Sequence, residues 1–213
     1  VIRQDRRKHS TSKGTNIIKH YSQQPHLVAS DSFLFLNWLK HNTSASQSDR
    51  PKCPFAQIYQ QALRKWENIV QGLLGSILRS CPERILSYWS TNWNRVQRKC
   101  YREIDFVEGT SEQPQCFVEI KLRESFRRAN AGWSQLNASL NLARQRWPEL
   151  KGLCINVAMA EILELAPVNC VTVTPLSCLS GVFESQAGSG DRTVWLSSRE
   201  IGDRSEEHTS ELQ

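Results

Sequence analysis

The spacing of apolar side chains predicts two amphipathic helices. Across residues 55–79 apolar side chains return every three or four positions, which places them on one face of a helix. Residues 133–147 have the same spacing and are followed by Pro148, which cannot continue a helix. Both helices are therefore expected to pack against a core. The same pattern over fewer residues predicts a short helix at 33–39 and one helical turn at 83–89.

Short apolar runs between and after these helices predict strands. They alternate with polar residues or are bounded by turn-forming residues, as strands of a partly buried sheet are. Strands are predicted at 95–100, 103–107, 116–122 and 153–159, with weaker signals at 168–174 and 194–196. In chain order the core reads helix, three strands, helix, strand. This order predicts an α/β domain with a central mixed sheet flanked by helices.

Two of the predicted strands carry charged residues at alternate positions. Glu103 and Asp105 lie two residues apart in one strand, and Glu119 and Lys121 lie two residues apart in the next. Because side chains alternate between the faces of a strand, each pair is expected to share one face. The apolar residues expected on the opposite face are Ile104, Phe106, Val118, Ile120 and Leu122. If the strands pair as a hairpin, three carboxylates and one ammonium group come together.

Such a cluster has two interpretations. Carboxylates within roughly 4–6 Å raise one another's pKa and resist joint ionisation unless positive charge is supplied, which a hydrated Mg²⁺ can do. Alternatively, the face is a solvated surface on which Glu119 pairs with Lys121 and Arg123 neutralises a second acid. Spacing alone favours neither interpretation.

Charge and cysteine content narrow the class of protein. The formal net charge is +6, and a basic balance favours polyanionic partners such as nucleic acid. Seven cysteines without a C-x-x-C pair predict reduced thiols and a cytoplasmic protein rather than a zinc ribbon. No apolar run approaches the roughly 20 residues that a membrane span needs, so no membrane partner is expected.

A segment rich in cations and rings precedes the acidic strands. Basic side chains interleaved with aromatic rings can neutralise phosphates and stack on bases. The alternative is a strand whose tryptophans belong to the core. The residues concerned are Tyr88, Trp89, Trp93, Arg95, Arg98, Lys99, Tyr101 and Arg102.

Histidine is absent from residues 42–203, and this absence excludes several kinds of active site. Ser-His-Asp and Cys-His hydrolases and zinc sites built on H-E-x-x-H all need an imidazole. The glycine-rich loops that hold nucleotide phosphates are missing as well. The chemistry that remains uses carboxylates and lysine, which suits Mg²⁺ or Mn²⁺.

The chain divides into four stretches by composition. Residues 1–50 are expected to form a flexible or poorly ordered arm, or to be mistranslated upstream sequence; 51–165 should form the core, and 166–203 a β-rich extension. Residues 204–213 resemble the translation of a sequencing adapter, so we expect this tail to be an artefact. The tail has one Arg and three Glu, a charge of −2, so that the +6 of the whole chain becomes +8 without it.

Asp105 followed by Glu119-Ile120-Lys121, on two predicted strands between two helices, resembles the signature of the PD-(D/E)XK nuclease superfamily. The resemblance implies a restriction endonuclease-like αβββαβ core over residues 55–161. The amino-acid sequences of the two segments are most similar to those of endonuclease-like proteins related to Holliday junction resolvases. Glu67 matches the acid of the first helix, and Gln135 matches the helix Gln of RecB-type members. The proline of the signature is absent.

The resemblance implies a metal-dependent nuclease, more specifically an endonuclease, that hydrolyses DNA phosphodiester bonds. Asp105, Glu119 and the Ile120 carbonyl would hold one or two Mg²⁺ or Mn²⁺ ions, and Lys121 would orient the attacking water or shield developing charge. DNA is the expected partner, and a homodimer is compatible with the resemblance. Supporting residues are Glu67, Glu103 and Gln135, and candidate phosphate contacts are Arg95, Arg98, Lys99, Arg123, Arg127 and Arg128.

Two other functions stay open at this point. The chain is either a nuclease-fold protein that binds nucleic acid without cleaving it, or an unrelated α/β interaction domain. In the second case the acidic face is an ordinary surface crossed by salt bridges. The distances among Glu67, Asp105, Glu119 and Lys121 are the measurements that bear most on this choice.

Overall fold

The structure, a computed structural model, describes residues 24–43, 54–91, 95–123, 130–159, 172–184 and 190–202. The α-helices are α1 (Phe33–Thr43), α2 (Pro54–Ile77), α3 (Asn130–Ala143) and α4 (Leu179–Glu184), and residues 198–202 are also helical. The strands are β1 (His26–Val28), β2 (Ile85–Thr91), β3 (Gln97–Glu103), β4 (Phe106–Gly109), β5 (Pro114–Arg123), β6 (Lys151–Ala158) and β7 (Arg192–Ser197).

These strands form two sheets. The first is antiparallel, in the order β1-β2-β3, and the second is mixed, in the order β4-β5-β6-β7. In the second sheet β4 is antiparallel to β5, whereas β5, β6 and β7 are parallel. Helix α3 packs on one face of this sheet and α2 on the other. The predicted α/β class with a mixed sheet between helices is confirmed.

Both faces of β5 are buried, and this burial explains the composition of the strand. On one face Val118 packs against Leu74 of α2. On the other face Phe117 packs against Leu140 of α3. A strand that is covered on both faces needs apolar residues at successive positions, so its charged residues stand out. Glu119 and Lys121 belong to the face that Phe117 occupies, because they lie two and four residues further along the strand.

The two long helices lie close to where the apolar spacing predicts them. Helix α2 begins at Pro54, a residue favoured in the first helical turn, and ends at Ile77. Helix α3 lies three to four residues earlier than predicted, because it begins at Asn130 rather than at Trp133 and ends at Ala143 rather than at Trp147. Trp147 is buried nevertheless, and its indole Nε1 donates a hydrogen bond to the Glu112 carbonyl at 2.9 Å. The apolar spacing therefore locates core positions more closely than it locates the helix end.

Two local predictions are wrong. Residues 83–89 do not form a helical turn, because β2 begins at Ile85 and pairs with β3. Ile85 and Leu86 are buried in different clusters on the two faces of the small sheet, which a strand allows and which a single amphipathic turn does not. The predicted polar arm contains β1, whose Leu27 pairs with Leu86 and is buried.

The predicted strand at 103–107 is interrupted, and this changes which side chains share a face. Strand β3 ends at Glu103 and β4 begins at Phe106. Ile104 packs in the cluster beneath α3, whereas Phe106 packs in the cluster beneath α2. The prediction that both side chains point the same way is therefore wrong, because the chain bends between the two sheets.

The described end of the chain is only partly β-structure. Strand β7 covers the predicted strand at 194–196. Of the weaker prediction at 168–174, residues 168–171 lie outside the described residues, and Val173 forms an isolated bridge with Trp195. In the described ranges, none of the helices is both long and apolar enough to cross a membrane.

Replacing Phe117 with alanine tests the double-sided packing of β5. The side chain is fully buried, so Phe117→Ala should lower the free energy of unfolding by about 3–5 kcal/mol. Phe33→Ala removes a phenyl ring that is 79% exposed and should change it by less than about 0.5 kcal/mol. Urea denaturation followed by circular dichroism measures both values. Similar losses in the two variants would contradict the described core.

Candidate functional site

The site begins at the bend between β3 and β4. Ile104 N–H donates to the Arg84 carbonyl at 2.9 Å, on the side of the small sheet. In the mixed sheet Phe106 pairs with Val118, so continuing that register would place residue 104 opposite Ile120. The Ile120 N–H instead donates to Asp105 Oδ2 at 2.7 Å. The Asp105 carboxylate thus accepts the hydrogen bond that the backbone carbonyl of a continuous strand would accept. This role explains why a carboxylate stands directly before the first residue of β4.

Arg84 stabilises the same bend, although no pattern in the sequence selects it. Its Nη1 donates to the Asp105 carbonyl at 2.6 Å, while its Nη2 lies 3.9 Å from Glu103 Oε1. The Glu103 side chain is 61% exposed, whereas Asp105 is 8% exposed. Glu103 therefore lies at the surface beside Arg84, and the two acids that were expected to share one face occupy different environments. Arg84 is identified by its contacts with the backbone of Ile104 and Asp105, about twenty residues away in the chain. Contacts between distant residues produce no local sequence pattern.

Glu119 and Lys121 meet on β5, as the alternation along a strand predicts. Lys121 Nζ lies 2.5 Å from Glu119 Oε1, and Glu119 is only 1% exposed. Glu119 Oε2 has no hydrogen-bond partner among the described residues. A buried carboxylate oxygen without a partner costs free energy, on the order of 1–3 kcal/mol or more for a charged group. This oxygen is the clearest indication of a missing ligand in the described part of the chain.

The pKa values of the carboxylates show that the acids influence one another. The pKa of Glu67 is raised to about 7 by burial, by the charge of Asp105 and by a hydrogen bond between the two side chains, against the attraction of Lys121. Burial raises the pKa of Glu119 to about 7 as well, with Asp105 adding to the effect and Lys121 opposing it. Glu67, which the resemblance implies as a supporting residue, therefore extends from α2 to Asp105.

The pKa of Lys121 is also raised, but for a different reason. Burial lowers the pKa of the ammonium group, but Glu119, Asp105 and Glu67 outweigh burial, and the pKa is raised overall. Lys121 is therefore a permanent cation at neutral pH. Lys121 interacts with all three acids and Arg102 with Glu119, and two of the three acids titrate near pH 7. The cluster is short of positive charge when all three carboxyl groups are ionised.

These donors match a hydrated cation better than an all-protein metal cage. Among the described residues no group of three or more His, Cys, Asp or Glu could hold a metal ion. Asp105 and Glu119 provide two carboxylates. Mg²⁺ is commonly held by one or two carboxylates together with waters and substrate phosphates. The Ile120 N–H points towards Asp105, and in an extended strand the carbonyl of a residue points to the same side as its N–H. The predicted set of Asp105, Glu119 and the Ile120 carbonyl therefore fits such an ion, with the unpartnered Glu119 oxygen as a ligand.

Gln135 and Arg102 lie at the border of the site. Gln135 is exposed on α3, and its backbone carbonyl accepts a hydrogen bond from Arg102 Nη1 at 3.2 Å. Gln135 thus contacts Arg102 through its backbone carbonyl, whereas the resemblance assigns the role to its side-chain amide. The charge of Arg102 lowers the pKa of Glu119 against the larger effect of burial. Arg102 is a second residue that the sequence reading did not assign to the site.

The predicted phosphate contacts fall into three groups. Arg95 and Arg98 are exposed on the β2–β3 hairpin, and Lys99 is half-buried with its Nζ 5.6 Å from the centre of the Tyr101 ring. Arg123 is 6% exposed, and its Nε donates to Asn156 Oδ1 at 2.6 Å. Arg123 therefore differs from the surface contact that was expected, because α3 and β6 cover it. Arg127 and Arg128 lie outside the described residues.

Gly132 is a further residue of the site. A Cβ atom at this position would lie 2.7 Å from Lys121 Cγ and 3.0 Å from Cys154 Sγ. The absence of a side chain on α3 therefore makes room for the Lys121 stem and holds it against the sheet. A glycine in the first turn of a helix is a weak sequence signal, because many glycines there have no such neighbour.

Alanine substitutions at two helical glycines should give opposite results. Gly132→Ala forces Lys121 to move and should lower the free energy of unfolding by about 1–3 kcal/mol. Gly72→Ala adds a Cβ with nothing within 4 Å and should raise it by about 0.5–1 kcal/mol, because alanine favours the helix. Thermal and urea unfolding of both variants measure the difference. Equal gains would show that Gly132 does not hold Lys121.

The pH dependence of stability should depend on Glu119. The unfolded chain releases the Glu119 proton near pH 4.5 and the folded chain keeps it until about pH 7, so stability falls as pH rises through this window. Glu119→Gln should flatten this fall and raise the free energy of unfolding above pH 7 by about 2 kcal/mol. Urea denaturation at several pH values between about 4.5 and 7 measures the free energy of unfolding. Glu112→Gln, at an exposed acid, is the control and should keep the wild-type slope; an unchanged slope in Glu119→Gln would contradict the described burial.

Comparisons with known proteins returned no match. No family model matches the chain, no curated protein matches it, and no solved structure matches it. The nuclease resemblance therefore rests on Asp105 and Glu119-Ile120-Lys121 themselves. The geometry around these residues is what bears on function.

Proposed function

We propose that the chain is a metal-dependent nuclease that hydrolyses DNA phosphodiester bonds as an endonuclease. The observation that carries this proposal is the buried Glu119 carboxylate, which has one oxygen beside Lys121 and the other without a partner among the described residues. Asp105 adjoins it, fixed by the Ile120 N–H. A buried acid that is partly unpaired next to a second acid lowers the stability of the fold. A cation bound during catalysis would offset this cost.

The order of elements also supports the proposal. Helix α2 is followed by β2, then by β3 and β4 as one interrupted strand, then by β5, α3 and β6. If the interrupted strand is counted once, the order is the αβββαβ that the resemblance implies. Asp105 then lies on the middle strand of the three and Glu119 on the third. The fold class is common to many activities, so the site carries more weight than this order.

In the proposed mechanism each residue has one task. Asp105, Glu119 and the Ile120 carbonyl would hold Mg²⁺ or Mn²⁺, which, when bound, lowers the pKa of a water molecule and polarises the phosphate. Lys121 keeps its proton and stabilises the negative charge that grows on the phosphate oxygens. Glu67 holds a proton next to Asp105 near neutral pH. Arg84 and Gly132 act through Asp105 and Lys121, so they are positioning residues.

A second function has one observation in its favour. Lys121 already neutralises one oxygen of Glu119, and a site completed by its own lysine needs less charge from a metal. On this reading the chain binds nucleic acid without cleaving it. Metal binding separates the two functions, because only the nuclease requires the carboxylates to hold Mg²⁺ or Mn²⁺.

Plasmid cleavage tests the proposed nuclease. The full chain should nick or linearise supercoiled DNA with Mg²⁺ or Mn²⁺ and should be inactive with EDTA. Asp105→Asn and Lys121→Ala should each lower the cleavage rate by about 100-fold or more, since each removes a ligand or a charge from the transition state. Glu149→Gln, at an exposed acid away from the carboxylates, is the control and should cleave normally.

Mn²⁺ binding, measured by calorimetry on the same proteins, completes the experiment. Wild-type chain should bind Mn²⁺, and Asp105→Asn should bind it at least about tenfold more weakly. The absence of cleavage with either metal, or equal cleavage by all variants, would overturn the nuclease. Metal-independent DNA binding without cleavage would favour the second function.

A further inference from the structure

The β2–β3 hairpin is a cationic ribbon that extends from the candidate site. Between Ile85 and Arg102 the sequence has no acidic residue and four cations, Arg95, Arg98, Lys99 and Arg102. The base of the hairpin is buried, but from Ser90 to Thr91 and from Arg95 to Arg98 every described residue is exposed. Strand β1 covers only the first three residues of β2. The far half of the hairpin is therefore a two-stranded ribbon that presents positive charge to solvent.

The register of the hairpin places Arg98 and Arg102 on one face. Arg102 pairs with Leu86, whose side chain is buried in the cluster beneath α3, and Arg98 pairs with Ser90. Residues that are directly opposite in an antiparallel pair share a face, so both arginines lie on the face that turns towards α3. Arg102 Nη1 also donates a hydrogen bond to the Gln135 carbonyl of α3 at 3.2 Å, so this face leads to the border of the candidate site. The two arginines thus form a row that starts at the site and runs outwards.

The dimensions of this row suit duplex DNA. Four residues of an antiparallel strand span about 14 Å, and a duplex of that length carries roughly eight phosphates. The major groove of B-form DNA is about 12 Å wide and admits a two-stranded β-ribbon, whereas the major groove of duplex RNA is too narrow for side chains to enter. The exposed ring of the hairpin, Trp89 at 42%, pairs with Lys99 and so lies on the face opposite Arg98. Tyr88, on the arginine face, is partly buried, so this face offers little ring surface to an unpaired base.

We propose that the β2–β3 hairpin binds in the major groove of duplex DNA and guides one strand to the carboxylates. For cleavage this inference rests on the proposed nuclease function, and it names duplex DNA as the substrate class. The DNA-binding part of the inference does not depend on nuclease activity, because the hairpin contacts DNA with or without metal. Arg98 and Arg102 contact the phosphates that lie between the groove and the site.

Binding without metal tests this inference apart from cleavage. The full chain is titrated in EDTA with a short labelled DNA duplex, with the corresponding single strand and with an RNA duplex of the same sequence, and anisotropy is recorded. Duplex DNA should bind at least about tenfold more tightly than the other two. Arg98→Gln should weaken duplex binding by roughly eightfold at about 0.1 M salt and reduce the slope of log K against log salt by about 0.9, the effect of one phosphate contact.

Arg199→Gln is the matched control. Arg199 is exposed in the helical segment 198–202 that follows β7, the strand farthest from β4 in the mixed sheet, and its loss should leave DNA binding unchanged. Equal weakening in Arg98→Gln and Arg199→Gln would overturn the inference, as would equal binding of single-stranded DNA or duplex RNA. If duplex binding depends on Arg98 but no metal supports cleavage, the nuclease proposal fails and the hairpin inference stands.

Discussion

The hydrogen bond from the Ile120 N–H to Asp105 joins the two sheets and creates the candidate site. Strand β3 is committed to the small sheet through the bond from Ile104 to the Arg84 carbonyl, so the mixed sheet lacks a backbone partner at this point. A side-chain carboxylate can cross the gap that the bend leaves, whereas an apolar side chain would leave a buried N–H unsatisfied. The same residue therefore serves the fold and would serve the proposed cation site.

Burial makes this arrangement costly and informative. The acids of the cluster lie among apolar residues, and two of them have pKa values raised to about 7. Lys121 and Arg102 bring two positive charges to three ionised carboxyl groups, so the cluster either keeps protons or gains a cation. Replacement by hydrocarbon would remove the problem, because well-packed apolar residues usually stabilise a core at least as well as buried ions. The cation of the proposed site would offset this cost of burial.

The sequence predicts those features that depend on local periodicity. The apolar repeat identifies α2 and α3, and the alternation along β5 correctly pairs Glu119 with Lys121. It fails at Ile104 and Asp105, because an alternating pattern contains no sign of the bend that separates β3 from β4. Helix and strand also fit residues 83–89 about equally well, and only the burial of both faces of β2 decides between them. Arg84 and Gly132 act through contacts between distant segments, which no window of sequence displays.

The parallel pairing of β5 and β6 has a consequence for how the protein reaches this structure. Cys116 pairs with Lys151 across the whole of α3, whereas β2 and β3 pair through a short connection. Local pairings form sooner than distant ones, because closing a longer loop costs more chain entropy. We therefore expect the cationic hairpin to exist in the folding chain before α3 and β6 pack beside β5 and enclose Glu119 and Lys121. The acids are exposed to water until that late step, so the energetic cost of burying them falls on the final stage of folding rather than on its nucleus.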